Sequence, residues 1–166
     1  MRRYQKLLLG IVIALFVMGT ANRSMAEENI RHNTENGEVV FLLDASGSMN
    51  TQDKNRLAID AIRQAAYSLP SNYRIGLVVY NTEIQAIKSL DTGIQQLEGQ
   101  LGAVSYSGYT NAGQGLSQAV GLFSETEDVH RYIIMLSDGE IDMPDKEQRE
   151  ASRTMYVQSA EWARDK

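Results

Sequence analysis

Two hydrophobic periods alternate along this chain. Residues 39–43 read Val-Val-Phe-Leu-Leu, five apolar positions in a row with β-branched and aromatic types among them. Such a run suits a strand covered on both faces, as in a parallel sheet flanked by helices. Residues 73–80 (Tyr-Arg-Ile-Gly-Leu-Val-Val-Tyr) predict a second buried strand. Asn81 and Thr82 can turn it into residues 83–87, which alternate polar with apolar. Brevity and alternation suit an edge strand, and a hairpin connection makes it antiparallel. A fourth strand is expected over 131–136.

Between these runs the period lengthens to that of a helix. Leu57, Ala58, Ala61, Ile62, Ala65, Ala66 and Leu69 recur at helical spacing over 53–69, and Pro70 then stops the helix. Lys54, Asp60, Arg63 and Gln64 would face water. Ile94, Leu97 and Leu101 predict a short helix over 91–101, and Leu116, Ala119, Val120 and Phe123 predict another over 111–123. Residues 148–166 read as a final helix, with Met155, Ala160 and Trp162 offered for packing.

The first segment breaks this alternation. Arg2, Arg3 and Lys6 precede an apolar run over 7–18, and Ser24-Met25-Ala26 places small residues at both cleavage-site positions. Residues 1–26 therefore read as a secretory signal peptide. The apolar run is about a dozen residues, short of the ~20 that span a bilayer, although an uncleaved anchor is the competing reading. Residues 27–37 are polar with turn formers and read as a linker, so the folded domain is expected over 38–166. With 166 residues, 43% of them hydrophobic, the chain has room for one domain rather than two. It contains no Cys, which excludes both a disulfide framework and a lipid-modified cysteine anchor.

Charge narrows the partners. Loss of residues 1–26, which hold four basic side chains and no acidic ones, would leave 12 of the 16 Lys and Arg against all 21 Asp and Glu, a net charge of −9. That balance argues against nucleic acid, which needs a basic face, and equally against anionic lipid. A cation is the more natural partner.

Candidate chemistry lies where the first strand ends. Asp44, Ser46 and Ser48 are spaced by two, and Gly47 permits a sharp turn, so the three side chains can converge. One carboxylate and two hydroxyls present only hard oxygens, which match Mg²⁺, Mn²⁺ or Ca²⁺ rather than zinc. The bland alternative is helix capping by Ser48, Asn50, Thr51 or Asp53. Two further stretches strengthen the cation reading. Gly108-Tyr109-Thr110-Asn111 precedes a helix, and Leu136-Ser137-Asp138-Gly139-Glu140 follows the fourth strand.

An Asp-x-Ser-x-Ser strand end, a Thr before a helix and an Asp after a later strand, in that order, resemble the von Willebrand factor type A domain with its metal-ion-dependent adhesion site. The resemblance covers residues 38–166. It implies Ser46, Ser48 and Thr110 as hydroxyl ligands of Mg²⁺ (with Mn²⁺ or Ca²⁺ as alternatives), and Asp44 and Asp138 binding the ion directly or through water. One coordination position would be left for an acidic side chain of a protein partner. It implies an α/β, Rossmann-like doubly wound sheet, mostly parallel, with one antiparallel edge strand and flanking helices. The family's six strands run in the order 3-2-1-4-5-6. Only four are found in this sequence, so the last two strands and the last helix are expected to be missing and strand four to form a bare edge. On this reading the chain is an N-terminal piece of a longer secreted or cell-surface protein.

Other chemistries fare worse. An EF-hand beginning at Asp44 would need Gly and Glu where Met49 and Asn55 stand. A phosphoryl-transfer nucleophile at Asp44 would want a second Asp where Ser46 stands. A Ser hydrolase lacks a base, since His32 reads as a solvated loop residue and His130 as structural or solvated. Gly113-Gln114-Gly115 lacks the rest of a phosphate-binding loop. The acids Glu140, Asp142 and Asp145 read as a solvated loop near a helix N-terminus in preference to a second cation site. The expected function is therefore a cation-dependent, non-enzymatic adhesion module, with Tyr106, Tyr109, Asn50 and Glu140 as rim residues. The alternatives are an assembly or accessory domain stabilised by the ion and, more remotely, a metal-dependent hydrolase.

Overall fold

The computed structural model describes residues 14–17 and 36–165. Most of the expected signal segment, the linker up to residue 35 and His32 lie outside the described residues. Within them the chain runs β1 (Ala14–Val17), β2 (Gly37–Asp44), α1 (Met49–Gln52), α2 (Leu57–Ser68), β3 (Tyr73–Tyr80), β4 (Ile84–Lys88), α3 (Ile94–Ala103), α4 (Ala112–Gly121), β5 (His130–Leu136) and α5 (Lys146–Asp165). The sheet order is β1-β5-β2-β3-β4. Strand β2 lies between β3 and β5 and is parallel to both, with Asp44 opposite Tyr80 and Leu43 opposite Leu136. Strand β4 pairs antiparallel with β3 at one edge, as the hairpin predicts. This is a mixed α/β sheet with the parallel centre and the antiparallel β4 edge that the resemblance implies, and with a second antiparallel strand, β1, at the other edge.

Every residue of β2 is buried, because layers cover both faces of the strand. Successive side chains point to opposite sides. Val39, Phe41 and Leu43 join Ile59, Ile62, Leu97 and Leu101 beneath α2 and α3. Val40 and Leu42 join Leu116, Ala119, Val120 and Ala163 beneath α4 and α5. Polar residues close both ends of this apolar strand. At its start the fully buried Glu38 pairs with Arg74 and lies 3.6 Å from Arg131 Nε, while Ser124 donates to it through both its amide and its hydroxyl. Burial opposes ionisation of Glu38, but the Ser124 bonds and the Arg74 guanidinium outweigh it and hold the carboxyl below its ordinary value.

Three expectations need correction. In the full chain the outer edge of β5 is not bare, because Ala14–Val17, inside the segment read above as a signal peptide, pairs with it antiparallel, Ala14 opposite Met135 and Val17 opposite Tyr132. The N–H and C=O groups of an uncovered edge need partners, and this segment supplies them. Helix α2 starts at Leu57, and its buried stripe is Ala58, Ile59, Ile62 and Ala66, so Leu57 is 55% exposed and Ala61 faces solvent. At ~100° per residue Leu57 lies roughly 150° from the centre of that stripe. In α5 the inward residues are Ser152, Tyr156, Ala160 and Ala163, whereas Met155 and Trp162 are 41% and 45% exposed. Small residues face inward there because α4 comes close, with the Gly113 amide donating to Ser152 Oγ at 3.1 Å.

Two variants test this packing. A Cβ on Gly113 would sit 2.0 Å from the Ser152 carbonyl oxygen, whereas one on Gly121 in the same helix meets nothing within 4 Å. In urea unfolding, Gly113→Ala should cost about 1–3 kcal/mol and Gly121→Ala should be neutral or mildly stabilising. Glu38→Gln should cost roughly 3 kcal/mol at pH 7, because it leaves Arg131 buried without a counter-charge. The contribution of Glu38 is complete above its ordinary value of 4.5 and is lost as pH falls through the lowered value in the fold. Stability of Glu38→Gln, followed by denaturant midpoint against pH, should therefore fall less steeply in acid than that of the parent.

Candidate metal centre

The carboxyl ends of β2 and β5 lie side by side, and three loops meet above them. Asp44 closes β2 with no solvent exposure. Its Oδ1 accepts the Ser46 amide at 2.8 Å, folding the first loop back over the strand end, and its Oδ2 accepts the Ser137 hydroxyl at 2.7 Å. Burial raises the Asp44 carboxyl above its ordinary value; the Ser137 and Ser46 bonds oppose this, and the Asp138 charge adds to it. The ionised form is therefore short of positive charge.

The first loop is fastened to the second through backbone. The Gly47 amide donates to the Gly108 carbonyl at 2.9 Å and the Ser107 amide to the Ala45 carbonyl at 2.8 Å. Gly108 has φ +74°, and a Cβ there would lie 2.6 Å from Thr82 Oγ1, so the second loop admits only glycine at that point. Thr82 Oγ1 also accepts the Tyr109 amide, and Asn111 caps α4 by accepting the Gln114 amide. Thr110 is thereby held at the loop end, 4% exposed. Its backbone forms an isolated antiparallel bridge with Asp142 of the third loop, with N···O distances of 2.7 and 3.2 Å.

The hydroxyls of Ser46 and Ser48 lie 3.0 Å apart, and Ser48 Oγ donates to Asp138 Oδ1 at 3.1 Å. Asp138 Oδ2 is shut off from solvent and has no hydrogen-bond partner. Leaving a buried acceptor unsatisfied costs about 1–3 kcal/mol, and more when it carries charge. Ser48, Thr110 and Asp138 line one open cleft of about 500 Å³, together with Gln52, Tyr109, Glu140, Arg149 and Arg153. The five residues singled out from sequence come from the end of β2 (Asp44) and from three loops tied together there; Ser48, Thr110 and Asp138 line the cleft, whereas Asp44 and Ser46 are buried and do not. Among the described residues no three His, Cys, Asp or Glu side chains are grouped to hold a metal. The set here is two carboxylates and three hydroxyls, a hard-oxygen donor set, and an orphaned carboxylate oxygen beside paired hydroxyls fits a cation.

The capping alternative falls elsewhere. Ser48 stands at the N-cap of α1 but makes no side-chain cap bond. Asp53 instead caps α2, accepting the Leu57 and Ala58 amides at 2.6 and 3.1 Å. Of the expected rim residues Tyr106 turns inward, and Asn50 is exposed but does not line the cleft. Tyr106 is buried and donates its hydroxyl to Asp53 Oδ2 at 2.7 Å, while the Asn50 amide donates to the Tyr106 and Gly47 carbonyls. Tyr109 and Glu140 do border the cleft. The acidic run is partly engaged, since Asp145 accepts the Gln148 amide at the start of α5 and Asp142 pairs with Arg149. Sequence reasoning assigned nothing to Ser137, whose bond to Asp44 depends on the β2–β5 register. The only available signal was its place beside Asp138.

Residues 39–140 match the family model of the von Willebrand factor type A domain. Over 154 residues the chain is 27% identical to the collagen alpha-4(VI) chain of Mus musculus, a likeness that covers 81% of this chain and 6% of that one. The chain therefore spans a small part of the curated relative it matches. Among solved structures, a von Willebrand factor type A protein from Catenulispora acidiphila superposes with a TM-score of 0.59 at 24% identity, covering 76% of this chain and 30% of that one. The three N-terminal domains of the type V pili tip protein Mfa5 from Porphyromonas gingivalis give 0.53 at 21% identity, over 76% and 25% of the two chains. Both likenesses are of fold.

The raised value of Asp44 has a consequence for stability. A group lifted in the fold destabilises the folded state once pH exceeds its ordinary value, because ionisation is then easier in the unfolded chain. Asp44→Asn keeps the shape and removes the charge. In the presence of chelator at pH 7 its thermal midpoint should equal or exceed that of the parent, and a clear fall would show that the charge is balanced within the protein.

Proposed function

This chain belongs to the von Willebrand factor type A domain family, and from that premise we propose that it is a protein-binding module whose contact with its partner passes through a divalent cation, with Mg²⁺ the preferred ion. Ser46, Ser48 and Thr110 would supply hydroxyl ligands, and Asp44 and Asp138 would bind directly or through water. The observation that carries this reading is the buried, unpartnered Asp138 Oδ2 beside the Ser46–Ser48 hydroxyl pair. A cation there would satisfy the orphan oxygen and offset the repulsion between Asp138 and Asp44. Neutral hydroxyls would leave much of the ion's charge uncompensated, so it would attract an anionic oxygen from outside. A Glu or Asp of a partner protein meets that need.

Binding rather than catalysis is supported by the placement of His130, the histidine among the described residues. His130 opens β5 and Asp138 follows its far end, so the imidazole is roughly 20 Å along the strand from the site. A place outside the cell, as a secreted or surface protein, is supported by the likeness to a pili tip protein and to a collagen chain. No helix among the described residues is long and apolar enough to cross a membrane.

Thermal unfolding of the full chain in Mg²⁺, Mn²⁺, Ca²⁺ or chelator tests the ion. A cation at a hundred times its Kd should stabilise the fold by about 2.7 kcal/mol, which raises the midpoint by roughly 5–10 °C. Asp138→Ala should lose that rise while keeping a midpoint in chelator at or above the parent's, since it deletes the orphan oxygen. A parent that unfolds cooperatively at the same temperature in all three cations and in chelator would sink the proposal.

A further inference from the structure

Beside the proposed ligands the cleft carries a feature of opposite sign. Helix α5 presents Arg149 and Arg153 to the same 500 Å³ cleft that Ser48, Thr110 and Asp138 line. They are four apart, so they lie on one face of the helix. Arg149 reaches the loop that is bridged to Thr110. Its Nη2 donates to Asp142 Oδ1 at 3.1 Å and to the Met143 carbonyl at 3.2 Å, and the Asp142 backbone is bridged to that of Thr110. Both bonds use one nitrogen. The Nη1 and Nε groups of Arg149 point to no partner among the described residues, and Arg153 uses only Nη1, toward Glu150 at 3.1 Å.

A guanidinium held by one nitrogen keeps a planar edge of N–H donors for a carboxylate, which it can take through two parallel bonds. The existing pairs do little to occupy these groups. Arg149 and Asp142 are 37% and 58% exposed, Arg153 and Glu150 51% and 55%, and exposed pairs of this kind contribute little and rearrange readily. The remaining cleft charges, Asp138 and Glu140, are acidic and would repel a second acid unless it lay against the arginines.

Resting on the cation reading above, we infer that Arg149 and Arg153 form a second acid-recognising subsite, and that the partner is a protein segment presenting two carboxylates. One would complete the shell of the cation, and the other would sit on the α5 guanidiniums. A single carboxylate on the ion would leave both arginines facing open cleft. Two acids neutralise both ends, so the arginines set specificity and the cation supplies the anchor.

The test uses synthetic peptides on the full chain: acetylated, amidated Gly peptides with one Glu, and a set with a second Glu placed one to four residues further on. Dissociation constants come from NMR titration in Mg²⁺ and in chelator. At least one two-acid peptide should bind about tenfold more tightly than the one-acid peptide in Mg²⁺, with the gap narrowing at high salt. That ratio should fall to about one in Arg149→Gln/Arg153→Gln, and substantially in Arg153→Gln alone, which leaves the Arg149–Asp142 pair in place. Mg²⁺ should still raise the thermal midpoint of both variants. If one-acid binding depends on Mg²⁺ but no spacing of two acids improves it, or the improvement survives in the double variant, the second subsite is refuted and the cation reading stands. If peptides bind equally in Mg²⁺ and chelator, or not at all, the cation reading fails and the subsite with it.

Discussion

A carboxylate with no solvent exposure sits at the end of a strand whose every residue is buried, and the upper part of the molecule is arranged to satisfy it. Asp44 cannot turn to water, so its two oxygens take protein donors: the Ser46 amide curls the first loop inward, and the Ser137 hydroxyl fixes the third loop against it. The second loop enters through the backbone bonds of Gly47 to Gly108 and Ser107 to Ala45. Those bonds supply loops that would otherwise leave backbone groups unpaired in a crowded place. Geometry at the site thus follows from satisfying one buried acid and from the backbone bonds between the first two loops.

Strand β2 also carries a second buried acid, and the contrast between the two explains the division of labour. Glu38 and Asp44 are six residues apart and on the same side of the strand, at opposite ends. Glu38 is answered by Arg74, Arg131 and Ser124, which hold it ionised and tie the strand start to the loop after α4. Asp44 is answered by neutral donors and faces another carboxylate nearby. One end of the strand is electrostatically complete. The other is short of a positive charge, and in this family's sheet that end is also the one toward which the loops open.

The cleft inherits that imbalance and then reverses it. Asp138 and Glu140 bring acidic groups to the cleft, and α5 brings two guanidiniums to it. The inward face of α5 carries Ser152, Tyr156, Ala160 and Ala163, and at Ser152 it lies close to α4. The close approach at Gly113 thus positions residues that have no contact with the strand ends. Packing between two helices and charge at the cleft are linked through the pitch of one helix.

The residues themselves determined most of the architecture. An unbroken apolar run suits a strand between two layers, alternation a strand with one solvated face, and a period near 3.6 a helix, so β2, β3, β4, β5 and the major helices could be placed from local pattern. Of the oxygen-bearing candidates, Asp44, Ser46 and Ser48 were legible from their spacing at a strand end, whereas Thr110, in the loop between α3 and α4, and Asp138 came from the family resemblance. Local pattern fails where the answer depends on register or on which neighbour arrives. Ser137 reaches Asp44 only because Leu43 lies opposite Leu136. Tyr106 turns inward because Asp53, already capping α2, offers it an acceptor. Leu57, Met155 and Trp162 face outward because helix phase is set by the partner surface rather than by hydrophobicity. Pairing of Ala14–Val17 with β5 is likewise a long-range choice between segments more than a hundred residues apart. Sequence specified which groups would seek burial or a hard ion, and tertiary structure alone decided which oxygens were left without partners, since that depends on every other donor having been placed.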